Sequence, residues 1–409
     1  MEIEKHFKSV SLSQFLEQID SSGFFWIAKR LSGNDTGLTG GHQVGLYLPR
    51  YFFEINFPEI CTTDKHNPES FINDLYFPRQ DHFIKNIRAI YYNSKFFPEL
   101  GLKKKYNEFR LTRWGGNESP AQDHENTGSI CLLAVKRIGN ATKALCWVAS
   151  TVDEENTIET WLGADVDPGQ FYSSRTMASS EKLQFLDQLP ENWLTEFPSG
   201  QEIFSKVLEL IPGDQWTSSI DELLLKRREL EFSIFREVEK HDVLPEIKEG
   251  FDSVEEFIKY SHSISNRRKS RTGKSLELNL ESIFTDADLM FQTQAKTEQN
   301  KKPDFLFPSK KAYHDMSFQS SRLHMLAAKT CCKDRWRQIL SEANRVKAKH
   351  LFTLQEGISE NQLSEMNNEN VQLVVPQPII RSFPDNFRNK ILNLEDFVSF
   401  IKQSQSGIE

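Results

Sequence analysis

The chain has 409 residues, 38% hydrophobic with 31 Phe, enough for real cores and long enough that two domains are the natural expectation. A formal net charge of −8 excludes a generally cationic nucleic-acid coat but not local basic surfaces, because binding follows the local field. The five cysteines are odd in number and lack zinc-type spacing, and no 18 consecutive apolar residues or signal-like N-terminus occur, so a reduced, cytoplasmic protein without membrane contact is expected.

In chain order, a helix is predicted from Leu12 to Ile19. Strands follow at 23–31, 44–49, 88–93, 108–114, 129–138 and 144–151, β-branched or aromatic runs punctuated by Gly, Asn, Asp and Pro. Many short strands of this kind suggest a barrel or sandwich over residues 1–166. Residues 167–187 lose the pattern and read as a linker. From 188 to 409 the texture becomes α/β. Helices are expected at 220–240, 254–264 and 275–290, strands at 304–308 and 323–331, and a helix at about 334–347. A strand at 350–355, a helix at 361–368, a strand at 371–376 and a closing helix at 392–403 complete a mixed-sheet layered domain.

The stretch from Lys301 to Arg337 carries the chemistry. Asp304 opens an apolar strand, Lys329 lies near the end of a second, and Glu342 follows 13 residues later. Magnesium-dependent phosphodiester cleavage needs a few carboxylates for the metal and a cation to offset charge on the phosphate. Taken singly the signals are weak: Asp304 reads equally as a turn-capping aspartate, Lys329 as an outward strand lysine, and Glu342 as a surface acid. Glu277, on the helix from Ser275, is a further candidate acid. Tyr313 is a candidate to orient a phosphate or water, and His314 is either a ligand or base or an ordinary loop histidine.

Lys333, Asp334 and Arg335 follow at once. Cations donate to guanine O6 and N7 and a carboxylate accepts from cytosine N4, so this triplet suits G·C reading, as it also suits charge pairing at a helix start. The segment 265–274 holds Arg267, Arg268, Lys269, Arg271 and Lys274 without an acid and is expected as a phosphate-contacting loop between helices. Arg227 and Arg228 on the long helix face either DNA or solvent. In the N-terminal half, eight cations against two acids lie between Lys85 and Arg113, with aromatics interleaved. Arg88, Lys95, Glu108, Arg110 and Arg113 are its candidate DNA contacts. The Gly-rich segment 30–43, with Lys29 and His42, is expected to enter a groove; it lacks the GK[ST] of a phosphate-binding loop.

The long motifs KRLSGNDTGLTGGHQVGLYLP, RAIYYNS, LTRWG, SNRRKSRTGKSLEL, NKKPDFLFP, KTCCKDRWRQIL and HLFTLQEG resemble those of the EcoRII family of type IIE restriction endonucleases. The resemblance implies an N-terminal effector DNA-binding pseudobarrel and a C-terminal restriction-endonuclease-like PD-(D/E)XK domain. It further implies Mg2+-dependent cutting of double-stranded DNA at CCWGG by a homodimer, with a second site bound by the effector domain and relieving autoinhibition. A cognate cytosine methyltransferase would be its system partner. On this resemblance Asp304 is the metal aspartate, Lys329 the catalytic lysine, Glu342 the displaced second acid, and Lys333, Asp334 and Arg335 the base readers. Cys331 departs from an expected threonine. The alternative is a sequence-specific DNA-binding regulator with an inactive nuclease domain.

Overall fold

The computed structural model describes residues 10–40, 44–103, 105–139, 141–174, 189–194, 196–333 and 335–407. Helix α1 (Leu12–Ser21) starts at Ser11, whose hydroxyl accepts from the Gln14 amide while the Gln14 side chain answers to the Ser11 amide. Its apolar face, Phe15, Leu16 and Ile19, is buried.

The strands that follow form one eight-stranded sheet. They are β1 (Phe25–Arg30), β2 (Leu46–Tyr47), β3 (Glu69–Phe77), β4 (His82–Tyr92), β5 (Glu108–Thr112), β6 (Ile130–Ile138), β7 (Ala141–Val148) and β8 (Tyr172–Ser173), in the order β2-β5-β4-β3-β7-β6-β1-β8. Neighbours are antiparallel except β3 and β7. Period-two alternation divides β1, β6 and β7 between two cores. Ile27, Cys131, Leu133 and Cys146 face one apolar core, closed by α2 (Arg50–Asn56) with Phe52 and Phe53. Trp26, Ala28, Leu132 and Trp147 face the other, under α1 and α3 (Val152–Leu162). A sheet buried on both faces is why β1 reads as a continuous rather than an alternating run.

Strand β3, and helices α2, α3 and α4 (Gly200–Leu210), were not expected from the sequence. The middle of β3 is partly exposed, with Asn73 and Asp74 interrupting the apolar pattern. Strand β8 lies within the expected linker and pairs with β1, so the N-terminal sheet extends past residue 166. Residues 175–187 of that linker lie outside the described residues.

The C-terminal unit is a three-layer α/β/α domain. Its sheet runs β13-β12-β11-β10-β9, from β9 (Gln292–Thr293), β10 (Phe305–Phe307), β11 (His324–Lys329), β12 (Lys349–Thr353) and β13 (Val371–Val374). Strand β11 is antiparallel to β10 and parallel to β12, which makes the sheet mixed. Phe305, Phe307, Leu326 and Phe352 point to a layer of three helices, α5 (Ile220–Glu249), α6 (Val254–Asp286) and α9 (Leu394–Gln405). Leu306, Met325, Ala327 and Leu351 point to the opposite layer. That layer holds α7 (Lys310–His314) with Tyr313, Trp336 and Ile339, and α8 (Glu360–Asn368) with Leu363 and Met366. The Phe284 ring of α6 meets those of Phe291, Phe305, Phe307 and Phe397 within 6.0 Å, and truncating such a buried aromatic costs about 3–5 kcal/mol.

Two expectations are corrected here. The helices at 254–264 and 275–290 are one continuous α6, so the basic segment 265–274 is helical, not a loop. It contains no proline, Arg and Lys are good helix formers, and one glycine costs only about 1 kcal/mol. Its charges are answered by α5 (Ile220–Glu249), where Asp242 and Glu239 take Arg267 and Arg268 at 2.8 and 2.7 Å. The expected helix at 334–347 is only a 3-10 turn over Trp336–Ser341, ended by Ala343 at φ +46°.

Candidate active site and reading loop

Asp304 immediately precedes β10 and Lys329 is the last residue of the adjacent β11. Antiparallel pairing of Phe305 with Leu326 therefore brings both to one end of the sheet. The Asp304 Oδ2 accepts from the Ala328 amide at 2.8 Å and from Lys329 Nζ at 3.4 Å. Its Oδ1 accepts from Gln294 Nε2 at 3.0 Å, and the Gln294 amide donates to the Asp304 carbonyl at 3.1 Å. The carboxylate is thus held from three sides while one-third of the Lys329 side chain stays open (32% exposed).

Glu277 reaches the same place from α6. Burial, then the neighbouring charge of Asp304, holds its carboxyl above the usual range, with Lys274 and Lys329 pulling the other way. Glu342 behaves alike: burial first and Asp304 second raise it, against Lys329, Lys349 and Lys301. It lies on extended chain just beyond the 3-10 turn rather than on a helix as expected. Its turn is gathered by Lys349, whose buried Nζ donates to the carbonyls of Glu342, Ala343 and Val346 at 2.5, 3.2 and 3.2 Å. Two buried acids held above their usual range beside the Asp304 charge define a site where a cation is favoured. The donors are all oxygen, the preference of magnesium, which takes one or two carboxylates and keeps its waters. Among the described residues no three of His, Cys, Asp and Glu converge closely enough to enclose a metal.

Beyond Lys329 the chain becomes a loop. The Lys333 and Cys332 amides each donate to Gln355 Oε1 at 3.0 Å. Lys333 Nζ donates to the hydroxyl of buried Ser129, in the N-terminal unit. Arg335 lines a cleft of about 570 Å3 with Glu277 and Lys329 on one side and Arg30, Glu159 and Asp167 of the N-terminal unit on the other. Asp334 lies outside the described residues, as does His42.

Other expected site residues are placed differently. Tyr313 is buried, its hydroxyl donating to Glu298 at 2.5 Å, and it receives the Arg345 amide at 3.2 Å. His314 is exposed, 3.1 Å from the Lys296 carbonyl. Arg227 is fully buried, donating to the Ile211 carbonyl at 3.0 Å and to Ser282 at 3.3 Å. Arg267 pairs with Asp242 and lies over the Phe197 ring at 3.8 Å. Arg227, Arg267 and Arg268 are therefore engaged in helix packing in this state, which corrects the expectation that they present free charge.

In the N-terminal unit Lys29 is also corrected: it is buried against Asp35 at 2.6 Å. The Gly-rich loop is folded against the C-terminal unit instead of standing open, the Gly33 amide donating to the Glu356 carbonyl at 2.5 Å. Arg110 is buried, donating to Glu108 at 3.1 Å and to the Gly45 carbonyl at 3.2 Å. Arg88 is half-buried, donating to Thr112 at 3.1 Å and pairing with Glu69 at 3.4 Å. Lys95 and Arg113 are exposed, and Arg113 lies 5.7 Å from the Phe71 ring. Sequence reasoning passed over Gln294, Lys349 and Gln355, because an amide or lysine whose partner is set by tertiary folding leaves no local pattern. The Gln294 backbone alone, at φ +48°, shows constraint.

Comparison with known proteins shows the family of the chain. Residues 20–177 match the family model described as "Restriction endonuclease EcoRII, N-terminal", and residues 235–398 match "EcoRII C terminal". The chain is 44% identical over 398 residues to the type II restriction enzyme EcoRII of Escherichia coli, covering 94% of this chain and 96% of that protein. It is 26% identical over 151 residues to the type II restriction enzyme SsoII of Shigella sonnei, covering 34% and 48% of the two. Metal-depleted Ecl18kI in complex with uncleaved, modified DNA overlaps at a TM-score of 0.43 and 21% identity, over 51% of this chain and 79% of that one. With both domains matched and the alignment nearly end to end, the chain belongs to the EcoRII family of type II restriction endonucleases, the site-specific deoxyribonucleases.

Proposed function

We propose that this enzyme cuts double-stranded DNA at CCWGG, with magnesium, as a homodimer, and that its N-terminal domain binds a second copy of the site and restrains the nuclease until it does so. The observation that carries the reading is the meeting of Asp304, Lys329, Glu342 and Glu277 at one sheet end, directly continued by the loop bearing Lys333 and Arg335.

In this reading Asp304 and Glu342 hold the ion, with Glu277 as the further acid. When bound, magnesium activates water and offsets charge on the phosphate. Gln294 and the Ala328 amide keep the Asp304 carboxylate in one orientation. Lys329 stands ready to donate to a phosphate oxygen as charge builds there. Lys333 and Arg335 donate to guanine edges, and Asp334 accepts from cytosine. Restraint is supported by the way the N-terminal domain occupies the reading loop: Ser129 takes Lys333, and the Glu159 and Asp167 side of the cleft faces Arg335. A duplex cannot reach Lys333 while Ser129 occupies it. Exposed Lys95 and Arg113, with half-buried Arg88, form the basic face proposed for the second site.

Digestion of a plasmid carrying several CCWGG sites, followed by sequencing of the ends, tests the reading. Magnesium-dependent ends at those sites alone are expected. Ends unrelated to CCWGG would overturn the assignment of the site, and cutting undiminished by chelator would overturn that of the metal.

A further inference from the structure

The geometry points to Gln355 as a positioning residue for base reading, acting through the loop from Cys331 to Arg335. The inference rests on the proposed reading of Lys333 and Arg335 as base contacts. Gln355 is two residues beyond β12 and only 1% exposed. Its Oε1 accepts the Cys332 and Lys333 amides, both at 3.0 Å, and lies 3.1 Å from Cys331 Sγ. Its Nε2 donates to the Gly357 carbonyl at 2.9 Å, and its own amide donates to Thr353 Oγ1 at 3.2 Å. One side chain therefore ties three successive loop residues to the end of the neighbouring strand.

The need for such a tie follows from the topology. Strands β11 and β12 are parallel and in register through Lys329 and Thr353. Just beyond, Thr330 offers its carbonyl to Thr353 Oγ1 at 3.2 Å and to the Leu354 amide at 3.3 Å. Past Thr330 the two chains diverge and the ladder no longer satisfies the backbone of 331–333. A buried amide without an acceptor is costly, so the Gln355 oxygen both satisfies these donors and fixes where they point. Base reading is directional: a bidentate contact discriminates only when its donors stand at the edge of the right base. Holding the Lys333 amide sets the origin from which its side chain and that of Arg335 reach the groove. The Arg335 amide in turn donates to the Cys332 carbonyl at 3.0 Å, so it follows the same tether.

The test uses the full-length protein and compares its magnesium-dependent cleavage rate, which binding by the N-terminal domain alone cannot supply, at the site the unmodified protein cuts and at one with a single G·C pair changed. Gln355→Met, which keeps length but removes the acceptor, is expected to lower the preference for the cut site at least tenfold. Its affinity for unrelated DNA should stay near that of the parent, while its melting temperature falls by the cost of the two amides left without an acceptor. Gln355→Glu, which retains acceptor oxygens, is expected to recover most of the preference. If Gln355→Met fails to fold, Gln355→Asn, which withdraws the amide by one carbon, should show the same loss. A folded Gln355→Met or Gln355→Asn protein with undiminished preference overturns the inference when Lys333→Ala does lose preference. If Lys333→Ala keeps full preference, the base-reading assignment itself falls, and the inference with it.

Discussion

The proposed cutting cluster and the proposed reading loop are neighbours along the chain but are built differently. Asp304 and Lys329 occupy strand ends, and the sheet register brings them together. The reading loop has no such frame, and is held by Gln355 from beneath and by Ser129 from the opposite domain. On the proposed reading, Asp304 and Lys329 thus stay assembled while the loop's base contacts are withheld. In the proposed mechanism, restraint falls on recognition more than on chemistry.

The largest expected effect tests the cutting half. Asp304→Ala or Lys329→Ala should lower cleavage by about 10³-fold or more, the scale for removing a group that stabilises charge in the transition state, while specific binding survives. Equal loss of binding, read by gel shift in calcium, would erase the division between the two regions. Next comes Lys349→Met. It releases the carbonyls around Glu342 and should cost about 10–100-fold in cleavage, as is usual for groups supporting a metal ligand, with a matching rise in the magnesium needed.

Gly128→Ala tests the restraint. Gly128 has φ +88° and faces the Gln355 side chain with no room for a Cβ. The substitution should push the domains apart and raise total cleavage of single-site DNA several-fold, with a loss of site preference because the Gln355 amide is displaced. Removing residues 1–187 should do at least as much; a folded but inactive fragment would refute restraint by the N-terminal domain.

The smallest effect concerns pH and lies at the other end of the sheet. Burial lowers the pKa of His324 from 6.5 to about 4, and that of His350 likewise, with the charge of His324 adding to the second. The unfolded chain takes up these protons below about 6.5 and the folded one does not. Stability is therefore full above that pH and declines as pH falls towards about 4. Urea melts at pH 7 and pH 5 check the sign. Cleavage should fall over an overlapping acid range for a separate reason, since the raised Glu342 and Glu277 must ionise to hold a cation. In His324→Gln the stability slope should flatten while the cleavage profile stays put.

Much of the candidate site was legible because strand chemistry is local. The apolar run after Asp304 and the one ending at Lys329 announce two strands, and two adjacent strand ends can share a site. The motifs across both halves resemble one family for the same reason: long, idiosyncratic runs survive translation into local structure. Composition and pattern also sufficed for a mostly-β first half and an α/β second half.

What the tertiary structure decided is where charge goes. The cations at 265–274 look free in sequence because their partners, Asp242 and Glu239, are on a different helix, and ion pairs across helices have no sequence period. Lys29 and Arg227 look available until packing buries them. Glu342 was expected on a helix, yet the buried Lys349 ammonium closes a turn there instead. Gln355, an unremarked glutamine in sequence, gains its role only when parallel strands place it under the loop of another. Local physics determined which strands form and which acids and lysines end them; burial and long-range pairing decided which of those groups remain open to DNA.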